Sequence, residues 1–223
     1  MPRPRSPLLS RDKIVAAALD LIDAEGLPAL STRRLAAELG VRGPSLYNHF
    51  PTKDDLLEAA ADAVVADVDI SALSVRPWPE ALRAWATSYH ETLARHPNLV
   101  PVIVHGPARR PHALKMADAV HGALIDAGWP PREATRIGAL MRYFVAGSAL
   151  ASFAAGFPPD PELYSGAYPH LAQAHRLAEH RELVDEGAFA TGLDALAAGL
   201  ELRFAQVRKQ RREREHERDR EPE

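Results

Sequence analysis

The sequence predicts an all-α protein in two parts, a small N-terminal three-helix domain and a larger helical domain behind it. Three observations carry that expectation. Apolar residues recur at helical spacing through most of the 223 residues. Capping side chains open those runs and Gly or Pro closes them. No run alternates apolar and polar residues convincingly enough to read as a strand.

Composition sets the outer bounds. Hydrophobic residues make up 46% and charged residues 26%, ordinary for a globular protein with a sizeable core. Cysteine is absent, which excludes a disulfide framework, a thiolate metal site and a cysteine nucleophile, and fits a cytoplasmic location. The first ten residues, MPRPRSPLLS, lack an apolar stretch of signal-peptide length. The expected organisation is a flexible basic leader over 1–9, a first domain over 10–70, a second over 71–205 and a charged tail over 206–223. Arg3 and Arg5 leave the leader two readings, a disordered segment or an arm for the minor groove of DNA.

The first helix is expected over about Arg11 to Glu25, capped by Ser10 and stopped by Gly26, with Ile14, Val15, Ala18, Leu19 and Ile22 facing the core. Ser31 caps a second helix carrying Leu35, Ala36 and Leu39, and Gly40 suits a left-handed stop. Val41–Gly43 is short enough to be a turn. Pro44 suits the start of a third helix to Phe50, with Leu46 and Phe50 one turn apart. Thr52 and Asp55 form a capping box for a fourth helix that buries Leu56, Leu57, Ala60 and Val64.

Two helices joined by so tight a turn make a helix-turn-helix, whose second helix enters the DNA major groove. Charge agrees with that use. Between Ser31 and Lys53 stand Arg33, Arg34, Arg42 and Lys53 against Glu38, four minus one, in a chain of net charge -3. Phosphate contact needs such local cations. Ser45, Tyr47 and His49 add hydrogen-bonding groups between the apolar Leu46 and Phe50.

The run Leu30–Leu57, LSTRRLAAELGV followed by PSLYNHF and KDDLL, resembles the DNA-binding domain of the tetracycline-repressor (TetR) family, over about Arg11 to Val64. The resemblance implies a homodimeric transcriptional regulator that binds a palindromic double-stranded DNA operator and is released from it by a small-molecule effector. It implies that Thr32 and Arg33 reach DNA from the second helix. Arg42, Gly43, Pro44 and Ser45 would sit at the groove, and Tyr47, His49 and Lys53 would hold phosphates. Gly43 stands where some relatives carry a long polar side chain, which moves base reading onto Arg42 and Ser45.

A linker is expected near Ser71–Pro79, where composition changes. Leu82, Trp85, Tyr89 and Leu93 then mark a helix ending near His96-Pro97, followed by an apolar turn over Leu99–Val104. A helix from about His112 to Ala127 carries Met116, Val120 and Leu124. Pro130-Pro131 opens a long helix to about Ala155. A proline-rich loop over Gly156–Gly166, a polar helix over about Pro169 to His180, and a last packed helix over about Asp185 to Phe204 complete the domain. From Arg208 onward seven basic residues face six acids, either a solvated helical extension or a disordered tail.

Gly138–Phe157 approaches the length of a membrane span, with Arg142 as its one charge. It lacks aromatic belts and a second span, so the centre of a helical bundle is the better reading. Ten histidines invite a metal. A two-histidine helical site needs spacing near i, i+4. His170, His175 and His180 step by five, turning about 140° each time, and His112 and His121 fall on opposite faces. No metal, cofactor or catalytic site is expected, and no enzyme.

The resemblance also implies an effector cavity in the second domain, to which Trp85, Tyr89, His90, Met116, Met141, Tyr143 and Phe144 are assigned. Arg142 and Phe153 are further candidates. For the dimer, Gly147, Ala151 and Ala155 form one row of small residues on the expected long helix, with Ser148, Ser152 and Gly156 beside it. Gly192, Ala195 and Gly199 form another on the last helix, beside Leu193, Leu196 and Leu200. Two helices from each chain would make a four-helix bundle, unless these rows pack within one subunit. Two rivals stay open: a regulator without a small-molecule effector, and a sensor or enzyme that carries the DNA-binding domain.

Overall fold

The computed structural model describes residues 9–105, 109–164, 166 and 168–218. Residues 1–8 of the basic leader lie outside the described residues, so the minor-groove arm has no structural account. Ten α-helices and no strand occur among the described residues. The helices are α1 Arg11–Glu25, α2 Thr32–Glu38, α3 Gly43–Tyr47, α4 Lys53–Ala66, α5 Trp78–Arg95, α6 Val100–His105, α7 Pro111–Asp126, α8 Pro131–Leu150, α9 Pro161–Tyr164 and α10 Arg181–Arg218. The chain divides into two compact units, 1–69 with 88–117, and 70–87 with 118–223. The segment 88–117 thus belongs with the N-terminal residues.

In the first unit the caps form as the side chains dictate. Ser10 and Ser31 accept from Lys13 and Arg34 backbone amides, and Thr52 with Asp55 closes a reciprocal capping box. Ile14, Ala18, Leu21, Ile22, Leu35, Leu46, Phe50, Leu56, Ala60 and Val64 fill the core. Leu57 is only half-buried. The later segment supplies caps across the chain. Asn98 donates to the carbonyls of Ile22 and Asp23 at 2.9 and 3.2 Å, answering the open end of α1. His96 pairs with Asp23 at 2.7 Å. Asp62 on α4 accepts from the His112 and Ala113 amides at 2.9 and 3.4 Å, capping α7 from outside it. Arg110, 4% exposed, meets Glu58 of α4 with two nitrogens and donates to the carbonyls of Val102 and Ile103 at the end of α6.

In the second unit Trp78 and Trp129 meet edge to face, and Phe204 packs on both, with centroids 4.8–5.5 Å apart. Phe144 of α8 stacks on Phe189 of α10 at 5.4 Å. Gly192 makes that stack possible, because a Cβ there would lie 2.6 Å from the Phe144 ring. Glu133, in the first turn of α8, takes Arg203 at 2.8 Å and Arg136 at 2.8 Å. The hydrogen bond from Arg203 is the main reason its carboxyl lies below the ordinary glutamate value; burial opposes the shift. A lowered carboxyl pKa adds stability above the ordinary value of about 4.3 and loses it as pH falls through the lowered one. Chemical-denaturation midpoints of the parent and Glu133→Gln should therefore differ at neutral pH and converge in acid. Curves equally separated at both extremes would show that Glu133 acts by packing alone.

Several expected elements change form. α8 stops at Leu150, and Ala151 is extended at φ -159 and ψ 147. Ser152 accepts from the Ala155 amide and Asp185 accepts from the Phe153 amide, so side chains take over backbone groups that a longer helix would have used. Ala151 and Ala155 therefore do not continue the row begun by Gly147. The polar helix expected over Pro169–His180 is three separate 3₁₀ turns, Pro169–Leu171, Ala174–Arg176 and Ala178–His180. The apolar turn after Pro97 is a 3₁₀ turn followed by the helix α6. The charged tail is a helical extension of α10 as far as Arg218, with a Lys209–Glu213 pair at 3.8 Å. No helix among the described residues is long and apolar enough to cross a membrane.

Candidate nucleic-acid interface

The interface is built from the ends of short helices. α2 finishes in a Schellman arrangement: Gly40 takes φ +64, its amide reaches the Ala37 carbonyl, and the Val41 amide reaches Ala36 at 2.9 Å. A left-handed residue there turns the chain sharply, and glycine adopts it without strain. Arg42 is extended, its carbonyl accepts from Ser45 at 2.9 Å, and α3 begins at Gly43, one residue before the expected Pro44. With five residues α3 cannot stabilise itself. Buried Leu46 and Phe50 hold it from below.

That anchoring decides which side chains face out. Arg33, Arg42, Pro44, Tyr47 and Lys53 are exposed, Tyr47 by 52%. Thr32, Gly43, Ser45 and His49 are half-buried. A Cβ at Gly43 would meet nothing within 4 Å, so its place beside α3 is open. One part of the charge argument changes. Arg34 pairs with Glu25 of α1 at 2.7 Å, so the outward positive charge comes from Arg33, Arg42 and Lys53. Two residues escape the sequence pattern. Asn48 is exposed at the end of α3. Arg11 of α1 donates to the His49 carbonyl and lies 4.1 Å over the Phe50 ring. No spacing rule joins a residue of α1 to one 38 positions later.

The expected effector residues are dispersed in character. Trp85, Tyr89, Met116 and Met141 are buried. His90 and Phe144 are half-buried. Tyr143 is 75% exposed and Phe153 66%, and Arg142 is exposed too, so none of these three points into the interior of the chain. Tyr89, His90 and Met116 fall in the first unit; Trp85, Met141, Tyr143 and Phe144 fall in the second. Within the second unit Phe144, Gly147, Ser148, Ala151, Phe153, Asp185, Ala188 and Phe189 line an open groove of about 380 Å³. Of the expected dimer residues, Gly147, Ala151, Ala155 and Gly199 are exposed and Leu196 is half-buried. Gly147 and Gly199 have open space where a side chain would stand, whereas Gly192 is covered by Phe144 of its own chain. Among the described residues no group of three His, Cys, Asp or Glu converges as a metal site.

The pattern of the bacterial regulatory proteins of the tetR family matches residues 14–60, and that of the tetracyclin repressor-like C-terminal domain matches residues 74–204. The chain belongs to the TetR family. It is a DNA-binding transcriptional regulator with an N-terminal helix-turn-helix domain and a helical C-terminal domain. A relative from Saccharopolyspora erythraea, named an HTH-type transcriptional regulator, is 37% identical over 145 residues, 65% of this chain and 61% of the relative. The HTH-type transcriptional repressor DrrR1 of Streptomyces coeruleorubidus is 34% identical, covering 91% of this chain and 81% of its own. The solved structure of the Streptomyces coelicolor TetR-family protein ActR, in complex with actinorhodin, superposes with a TM-score of 0.70. It is 28% identical and covers 88% of this chain and 98% of its own.

Proposed function

We propose that this TetR-family chain is a cytoplasmic, homodimeric repressor that a small molecule releases from a palindromic operator. The observation that carries the reading is the exposure of Arg33, Arg42, Tyr47 and Lys53, from α2 to the start of α4, around a short helix anchored by Leu46 and Phe50. Repression follows the name of DrrR1, and a small-molecule effector follows the actinorhodin bound to ActR. In this reading Arg42 and Ser45 read base edges, assisted by Thr32, Arg33, Gly43 and Pro44. Tyr47, His49 and Lys53 hold phosphates. Lys53 opens α4, so its ammonium adds to the positive end of that helix.

The decisive experiment is selection of duplexes from random DNA by the purified protein, followed by displacement of the selected operator with candidate effectors. A palindromic motif and its release by one compound are expected. A motif that no compound releases would favour the regulator without an effector. Catalytic turnover of a releasing compound would favour the sensor or enzyme.

Lys53→Ala should weaken binding to every sequence alike and lower the log–log salt slope by about one. Arg42→Ala should instead cost about 1–3 kcal/mol and relax preference at one operator position. An unchanged slope for the first, or an unchanged motif for the second, reverses these assignments. For the effector, Phe144→Leu is the informative change. Trp85 is 3% exposed, and removing a core indole costs about 3–5 kcal/mol whatever its role.

A further inference from the structure

The recognition helix, α3, has little local support at its start. Its N-terminal position Arg42 makes no side-chain cap, and its five residues are too few to hold a helix. At the other end the amides of His49 and Phe50 both turn back to the Leu46 carbonyl at 2.9 Å. The carbonyl of His49, two residues beyond the end of α3, is answered by Arg11, the first residue of α1. The same guanidinium lies 4.1 Å from the centre of the Phe50 ring, and Phe50 is 4% exposed.

We propose that Arg11 is a positioning residue of the DNA-facing surface: its guanidinium locks the turn Asn48–Thr52 between the recognition helix and α4. A planar guanidinium can offer an N–H edge to the carbonyl and its face to the ring at once. Lysine, a point charge on a flexible stem, holds one of these and not both. The turn carries His49 and ends at Thr52, whose capping box starts α4 with Lys53. Fixing it sets the distance between Tyr47 and Lys53, the two exposed groups on either side. Arg11 thereby acts on the register of the surface and not as one more phosphate cation.

The inference rests on the DNA-binding reading, and its test separates the two. Full-length parent, Arg11→Gln, Arg11→Lys, Phe50→Leu and the Arg11→Gln/Phe50→Leu double variant are titrated with the motif the parent selects and with a scrambled duplex. Arg11→Gln should lose about tenfold on the motif, the low end of what one charged hydrogen bond is worth. It should lose clearly less on scrambled DNA, where phosphates are met without a register fixed against the bases. Lysine should not restore the loss. The double variant should lose no more than the worse single, as groups acting through one contact do. Without DNA, amide exchange at Asn48, His49, Phe50 and Thr52 should quicken in Arg11→Gln while the thermal midpoint of the chain stays near the parent's. Equal losses on both duplexes, full restoration by lysine, or additive losses would overturn the inference in favour of a direct phosphate contact. A parent that selects a motif to which Arg11→Gln binds normally also overturns it. A parent that selects no motif overturns the DNA reading and this inference together.

Discussion

Glu58→Ala is expected to destabilise the first unit by about 3 kcal/mol, more than removal of both partners of the pair it belongs to. The asymmetry comes from burial. Arg110 is 4% exposed and bonds Glu58 through Nε at 2.8 Å and Nη2 at 2.9 Å. The Glu58 side chain is 35% exposed, so water reaches the carboxylate and not the guanidinium. Truncating Glu58 leaves a buried cation with the Val102 and Ile103 carbonyls as its protein acceptors. Arg110→Met removes that cation and leaves a carboxylate that water can solvate. Glu58→Ala/Arg110→Met should therefore unfold at a higher urea concentration than Glu58→Ala alone, although it carries one more substitution. A double variant weaker than Glu58→Ala would show that Arg110 matters for capping α6 and not as a charge needing an answer. The pair also bears on DNA. Glu58 lies five residues after Lys53 on α4, about 7.5 Å along the helix axis. A looser α4 should weaken operator binding in the same order as the stabilities.

The first unit was legible in the sequence wherever its signals are local. Ser10, Ser31 and Thr52 cap, Gly40 turns and Leu46 with Phe50 anchors, each within four residues of what it governs. The same reading could not see Asn98, Asp62 or Arg110. They close the ends of helices from fifty or more positions away, or from a following loop, and nothing in their spacing announces it. Arg34 shows the same limit for charge, because its partner Glu25 lies in the helix before. Elsewhere the apolar stripes of α5, α7 and α8 were legible. The stop of α8 was not, because Ser152 and Asp185 compete for backbone groups only once the chain has folded back. The polar segment over 169–180 has helical composition without an apolar stripe, so tertiary packing, not propensity, fixed its broken turns. Tyr143, assigned to the effector cavity, and Phe153, a further candidate, are exposed on the chain, which residue type alone does not announce. The DNA-facing residues came from resemblance as much as from pattern, and their outward placement is what the fold adds.

Gly147→Arg together with Gly199→Arg should give a folded monomer whose operator affinity falls by about a hundredfold or more. Ala151, in the same expected row of small residues as Gly147, is not the partner to choose for Gly199, because it lies beyond the end of α8 in extended backbone. Gly147 remains on α8 and Gly199 on α10; both are exposed, and neither has an atom within 4 Å of the place a Cβ would take. In the free chain an arginine at either site meets solvent, so the fold should survive. Beside Gly147 stand the exposed Tyr143, Leu150 and Phe153, apolar surface of the kind that marks a contact. If that face and the Gly199 side of α10 meet a second copy across a two-fold axis, each substitution places a charge in the contact twice. A buried charge without a partner is costly, and two copies facing each other repel. The operator effect follows from linkage of two half-sites. A monomer loses the effective concentration that the second recognition helix gains from the first, commonly a factor of about 10²–10⁴. Gly192 offers an internal control. Its Cβ position is filled by Phe144 of the same chain, so a large side chain there should disturb the α8–α10 packing and lower stability directly. Sedimentation at micromolar concentration reads the outcome. A Gly147→Arg/Gly199→Arg variant that stays dimeric would move the interface to other helices, and one that unfolds would show that these glycines serve the subunit's own core.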